Sequence, residues 1–256
     1  MKVFCILLAV IFAYALPIAA TVIWCRKTKA SIVPVLIGAV TFFVFANVLE
    51  QLLHIVCLLN DNAVSRFLNN HVWFYALYGA LAAGIFEETG RFVAFKTVLR
   101  RYKERRNAVA YGIGHGGIEV ILILGMNYLL LAIAALTGFG AGVESLQPSF
   151  EAITPGIVAT AALERIFAFT VHIALSVFVF TAVHRQGKGW MFPFAILLHA
   201  LLDFPAIFCQ QGILSIAALE CYVGIFAVLL SIAAFVIYRK FLSQSNSDTV
   251  SEQSED

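Results

Sequence analysis

Apolar runs of about 20 residues recur along the whole of this 256-residue chain, and they restrict what it can fold into. In lipid every backbone N–H and C=O must find a partner within the protein, which leaves helices or closed barrels. The runs are continuous rather than alternating, so they read as helices. Of the residues, 61% are hydrophobic and 12% charged; soluble domains are nearer half and a quarter. The expectation is an all-α polytopic membrane protein, multi-pass in the cell membrane.

The runs divide into about seven transmembrane helices, at roughly 3–24, 32–58, 72–95, 108–136, 156–183, 190–209 and 213–238. The first is longer than a signal-peptide core and no small-residue cleavage site follows it, so it is expected to remain as a helix. Residues 1–242 then form one helical domain, with the third to sixth helices (72–209) as its core. The tail 243–256, SQSNSDTVSEQSED, is polar, acidic and serine-rich, and reads as disordered.

Basic residues alternate between the connections. Arg26, Lys27 and Lys29 follow the first helix, and Lys96, Arg100, Arg101, Lys103, Arg105 and Arg106 follow the third. Arg185 and Lys188 follow the fifth; Arg239 and Lys240 follow the seventh. The opposite side has only Lys2 and Arg66. The positive-inside rule places the N-terminus outside and the C-terminus in the cytoplasm. There is no separate basic domain, so nucleic acid is not an expected partner. The five cysteines form no C-x-x-C pair and read as small packing residues. GIGHGG at 112–117 lacks G-K-[ST] and a preceding strand, so its glycines read as a close helix contact rather than a phosphate loop.

Ionisable residues inside membrane helices are costly and mark a function or an internal pair. Here they include Glu50 and His54; Glu87, Glu88 and Arg91; His115 and Glu119; Glu164, Arg165 and His172; His199 and Asp203; and Glu220. At a rise of about 1.5 Å per residue, Glu87, Glu88, His115, His172, His199 and Asp203 fall roughly 10–20 Å from the cytoplasmic helix ends. They come from four helices of alternating direction, so one polar cavity in the cytoplasmic half explains the coincidence. His115 and Glu119 share a helix face, as do His199 and Asp203. Arg91 can pair with one of Glu87 and Glu88 and leave the other as a general base; snorkelling to the interface is its alternative. Glu50 with His54, and Glu164 with Arg165, read as local structural pairs, and Glu220 as a packing bond.

EETGR, HGGIE, ER followed by a histidine eight residues after the glutamate, and HALLD occur in this order, and the pattern resembles the YhfC family of intramembrane metalloproteases. It is similar more distantly to the CAAX-processing type II proteases, the PrsW proteases and the Aph subunit of gamma-secretase. The resemblance implies an endopeptidase acting on membrane proteins or lipidated peptides. Its catalytic residues would be Glu87, Glu88, His115, His199 and Asp203, supported by Arg91, Glu119 and His172. Against the CAAX motifs, Arg91 comes one residue early, Tyr111 replaces a phenylalanine and Asp203 an asparagine.

Two mechanisms are open. Glu87 and His115 could activate water while His199 stabilises the oxyanion. Alternatively His115, His172 and His199 could bind zinc, although without HExxH the sequence demands no metal. Two other readings also stand: a non-catalytic scaffold subunit bound to a membrane-protein partner, and a proton-coupled transporter. Against the second, no repeated halves are visible.

Overall fold

The computed structural model describes residues 1–140 and 142–240. The expected tail at 243–256 lies outside them. The described residues are helical and contain no strand. Seven long helices dominate: α1 (Lys2–Thr28), α2 (Val33–Leu59), α3 (Val72–Lys96), α4 (Arg106–Thr137), α5 (Pro155–His184), α6 (Met191–Gln210) and α7 (Ile216–Lys240). All but α3 are long and apolar enough to cross a bilayer. At 25 residues α3 is equally long, but Glu87, Glu88 and Arg91 lower its hydropathy. The expected segments agree with these helices to within a few residues. The chain is a multi-pass membrane protein.

The connections hold more order than the sequence suggested. Ala63–Asn70 is a short helix between α2 and α3. The Asn62 side chain caps it by accepting from the backbone N–H of Val64 and Ser65. The connection between α4 and α5 contains the short helix Gln147–Ala152.

Helix α3 packs most extensively on α6 and also contacts α2 and α5; α4 packs on α2 and α5, and α7 on α5. The α2–α4 crossing depends on glycine. A Cβ on Gly114 would lie 1.8 Å from the Val35 carbonyl oxygen, and one on Gly38 would lie 2.2 Å from that of Tyr111. Both obstacles are backbone, so neither can rotate away. Small residues at such contacts let two helices approach to backbone distance. Gly114→Ala is expected to cost at least about 1–3 kcal/mol through overpacking, seen as a lower thermal midpoint in detergent. An unchanged midpoint would contradict the close crossing.

Two departures from regular helix position the polar residues. Helix α2 has π-helical turns at Phe43–Glu50 and Ile55–Leu59, and α4 has one at Ile121–Met126, one residue past HGGIE. Such wide turns often accompany functional sites. The first ends on Glu50, whose side chain is buried. In α6, Pro205 has no N–H to give the Leu201 carbonyl one turn back. The Tyr222 hydroxyl of α7 donates to that carbonyl instead, at 2.7 Å. This tie joins α7 to the turn that carries Asp203.

Candidate active site

Glu87, Glu88 and Arg91 lie on the inner face of α3, and all three are buried. Arg91 does not snorkel. Its Nη1 donates to Glu88 Oε1, and its Nη2 donates to His172 Nδ1 of α5 at 2.5 Å. Glu88 Oε1 also accepts from His199 Nδ1 of α6 at 2.7 Å. Glu88 is therefore the carboxylate that Arg91 holds.

Glu87 is placed differently. Its Oε2 accepts from His115 Nε2 of α4 at 2.9 Å. His172 Nδ1 and Arg91 Nη2 lie 3.7 Å and 3.8 Å from the same oxygen, and His199 Nε2 lies 3.8 Å from Oε1. One carboxylate thus faces three imidazoles and a guanidinium. The rings form a row, with centroids 5.1 Å apart for His115 and His172 and 5.5 Å for His172 and His199. Phe42 of α2 meets His115 edge-on at 5.1 Å, an apolar wall behind the row.

Further contacts hold the histidines. His172 Nε2 lies in ion-pair contact with Glu119 Oε2, and Arg165 Nη1 donates to Glu119 Oε1 at 2.6 Å. Arg165 Nη2 donates to Glu164 Oε1 at 2.6 Å. The pair Glu164 and Arg165 therefore extends into the cluster, where the sequence suggested only a local pair. The available signal was spacing: Arg165 and His172 are seven residues apart, two turns along one face of α5. Asp203 Oδ2 lies 3.4 Å from His199 Nε2. Glu50 and His54 do form their pair, at 3.2 Å, and the Tyr78 hydroxyl of α3 joins it at 2.9 Å from His54 Nδ1. Glu220 lies apart, on α7.

The hydrogen bonds fix which nitrogens carry lone pairs. Glu88 pairs with Arg91 and is ionised, so it can only accept; His199 Nδ1 must donate to it. In neutral His199, Nε2 is then a lone pair. Arg91 Nη2 can only donate, so His172 Nδ1 carries a lone pair and, in the neutral ring, Nε2 carries the N–H. That lone pair accepts from Arg91 with Glu87 Oε2 3.7 Å away, so a metal ion would take the place of the Arg91 hydrogen bond. Donor atoms of Glu87, His172 and His199 lie within 4.8 Å of one another. A neutral histidine whose far nitrogen donates to a carboxylate is the usual arrangement around a protein-bound metal. Two histidines and a glutamate also make a known catalytic zinc set with an open position. The residues present therefore fit a divalent metal. Of the three histidines named from the sequence, His115 differs: it hydrogen-bonds Glu87, and its Nδ1 is buried without a partner.

Residues 12–223 match the family described as YhfC intramembrane metalloprotease. This chain belongs to the YhfC family. It is also similar to the uncharacterized membrane protein YhfC of Bacillus subtilis (strain 168), at 36% identity over 237 residues, covering 85% of this chain and 89% of the relative. No solved structure matches it. Membership of a metalloprotease family agrees with the buried Glu/His cluster. The four motifs read from the sequence, EETGR, HGGIE, ER with its histidine, and HALLD, supply every residue of that cluster.

Proposed function

We propose that this protein is an intramembrane endopeptidase that hydrolyses peptide bonds of membrane-associated proteins at the Glu87 cluster. The carrying observation is that Glu87, His172 and His199 bring donor atoms within 4.8 Å of one another, with the far nitrogen of each histidine against a second carboxylate. Glu87, His172 and His199 would hold a divalent metal, with zinc suited to this donor set. A bound zinc ion would lower the pKa of water and polarise the scissile carbonyl.

The chain's own residues handle the proton. Glu88 is committed to Arg91 and His199; of Glu87, Oε1 faces His199 and would serve the metal, which leaves Oε2, hydrogen-bonded to His115, as the acceptor. Water oxygen bonds to the carbonyl carbon, and the proton it loses goes to the Glu87–His115 pair. The C–N bond then breaks and its electrons go to the nitrogen. The pair returns the proton to that nitrogen, and the products leave as acid and amine. Asp203, beside His199 Nε2, is placed to meet the substrate.

Two measurements on purified protein test this reading: metal content, and cleavage of a membrane-protein library by wild type, Glu87→Gln and His199→Ala. Cleavage that persists in both variants would refute it. Absence of cleavage with a stoichiometric co-purifying partner would support a scaffold instead. Proton-driven solute flux in proteoliposomes, abolished by Glu88→Gln, would support transport.

Glu119 supplies a further check. Its carboxylate fixes the His172 tautomer, so Glu119→Gln is expected to weaken metal affinity about 10–100-fold. Competition with a chromogenic chelator reads this directly. Unchanged affinity would remove His172 from the ligand set.

A further inference from the structure

Side-chain exposure in the cluster changes in one direction. Glu88, Arg91 and His115 are 0% exposed, Glu87 9%, Glu119 and Arg165 10%, Asp203 38% and Glu164 41%. This order follows position along the helices. On α3, Phe95 lies one turn past Arg91 toward the basic connections. On α4, Tyr111 lies one turn before His115; on α5, Val179 and Phe180 lie two turns past His172; on α6, Ala195 lies one turn before His199. All five are at most 1% exposed. Together with Leu99 and Leu175, both fully buried, they plug the bundle between the cluster and the Lys/Arg-rich connections.

In the opposite direction α4, α5 and α6 each offer a charge. Glu119 lies one turn past His115, Asp203 one turn past His199, and Arg165 two turns before His172. Asp203 is half-buried and faces the bundle interior. It contacts His199, and Glu88, Glu119 and Arg165 from three other helices are within electrostatic reach. Glu50, from α2, is within reach of His199 and Asp203 as well. Beyond these residues lies a cavity of about 580 Å³ between α5, α6 and α7, its wall largely apolar (Ile157, Ile216, Leu219) with Glu164, Gln210 and Glu220 set into it. A second, of about 390 Å³, is lined by Asn69, Asn70, Tyr75 and Gln211. Both lie at the end away from the basic connections.

We infer that water and polar solutes reach Glu87 through a charged cleft, lined by Asp203, Glu50, Glu119 and Arg165, that opens at the Asn69 and Gln210 end of the bundle, while the aromatic and aliphatic plug closes the basic end. Glu164 and Arg165 form its rim. With the basic connections held in the cytoplasm, that end is the outer one, so a site in the inner half of the bilayer is served from outside. The proposal gives the hydrolytic site its supply route and takes its purpose from that reading, but its evidence is geometric.

The test is thiol labelling in sealed vesicles of both orientations. The background has the five native cysteines replaced, and the single cysteines are Asp203→Cys and Glu164→Cys. Asn69→Cys and Arg101→Cys mark the two ends, and the probe is a charged, membrane-impermeant methanethiosulfonate. Asp203→Cys and Glu164→Cys should react from the same side as Asn69→Cys and stay silent from the Arg101→Cys side. Reaction of Asp203→Cys from the Arg101→Cys side, or from neither side, would overturn the route. Hydroxyl-radical footprinting of the unsubstituted protein guards against misfolded variants. His172 and His199 should oxidise while Phe95 and Tyr111 stay protected; the reverse pattern also overturns the proposal. Neither readout needs catalysis. The expected labelling without any cleavage would keep the route and remove the protease reading, whereas cleavage with labelling from the basic end would do the opposite.

Discussion

Glu87→Gln is expected to reduce peptide-bond cleavage by about 10²–10⁴-fold, the range that a positioned general base contributes. Glutamine keeps the shape of the side chain, and its amide oxygen can still accept from His115 Nε2. It cannot take a proton from water. The fold should therefore survive, with a thermal midpoint close to that of wild type. Glu87 is also a candidate ligand, so the amide should weaken metal binding as well. His199→Ala should lose activity too: it removes a second candidate ligand and leaves Glu88 without one of its two donors. Its metal content should fall along with its cleavage. Glu88→Gln separates the two carboxylates. It disturbs Arg91 and His199 without removing the proposed base, so its main effect should be on stability. If Glu88→Gln abolished cleavage in a well-folded protein while Glu87→Gln did not, the assignment of the two glutamates would have to be exchanged.

The helices were legible because the bilayer imposes one rule on every segment: length and apolarity fix where the chain crosses. The meeting of α3, α4, α5 and α6 at one polar cluster was also legible. Charges in lipid need partners, and depth along helices of alternating direction brought the same residues to one level. Three parts were not visible in the chain. Arg165 looked complete beside Glu164, because sequence shows the adjacent residue and hides Glu119 on another helix. The π-helical turn that ends on Glu50 leaves no mark in hydrophobic periodicity, since Asn47 and Glu50 are the only polar residues in an otherwise apolar segment. The division of labour between Glu87 and Glu88 depends on which carboxylate turns toward Arg91, and one helical step separates them. The motif EETGR contains both outcomes; only packing against His115 and His199 distinguishes them.

Arg91→Ala is expected to be the most destabilising single change in the cluster. Arg91 and Glu88 are both 0% exposed, so neither charge can borrow water when its partner is lost. Removing one member of a buried ion pair costs about 3–5 kcal/mol, because the other charge stays buried without compensation. Here the loss is shared, since Arg91 Nη2 also donates to His172 and lies 3.8 Å from Glu87. Thermal unfolding in detergent should show a large fall in midpoint, or no folded protein. Arg91→Lys keeps the charge but not the fork of two donors, so it should recover only part of the loss. The double variant Arg91→Ala with Glu88→Gln is the sharper measurement. It removes both charges, and a polar amide costs less to bury than an ion. It should therefore be more stable than Arg91→Ala alone, although it carries one more substitution. If the double variant were instead the less stable of the two, Glu88 would not depend on Arg91. The pairing that frees Glu87 for chemistry would then have to come from His199 alone.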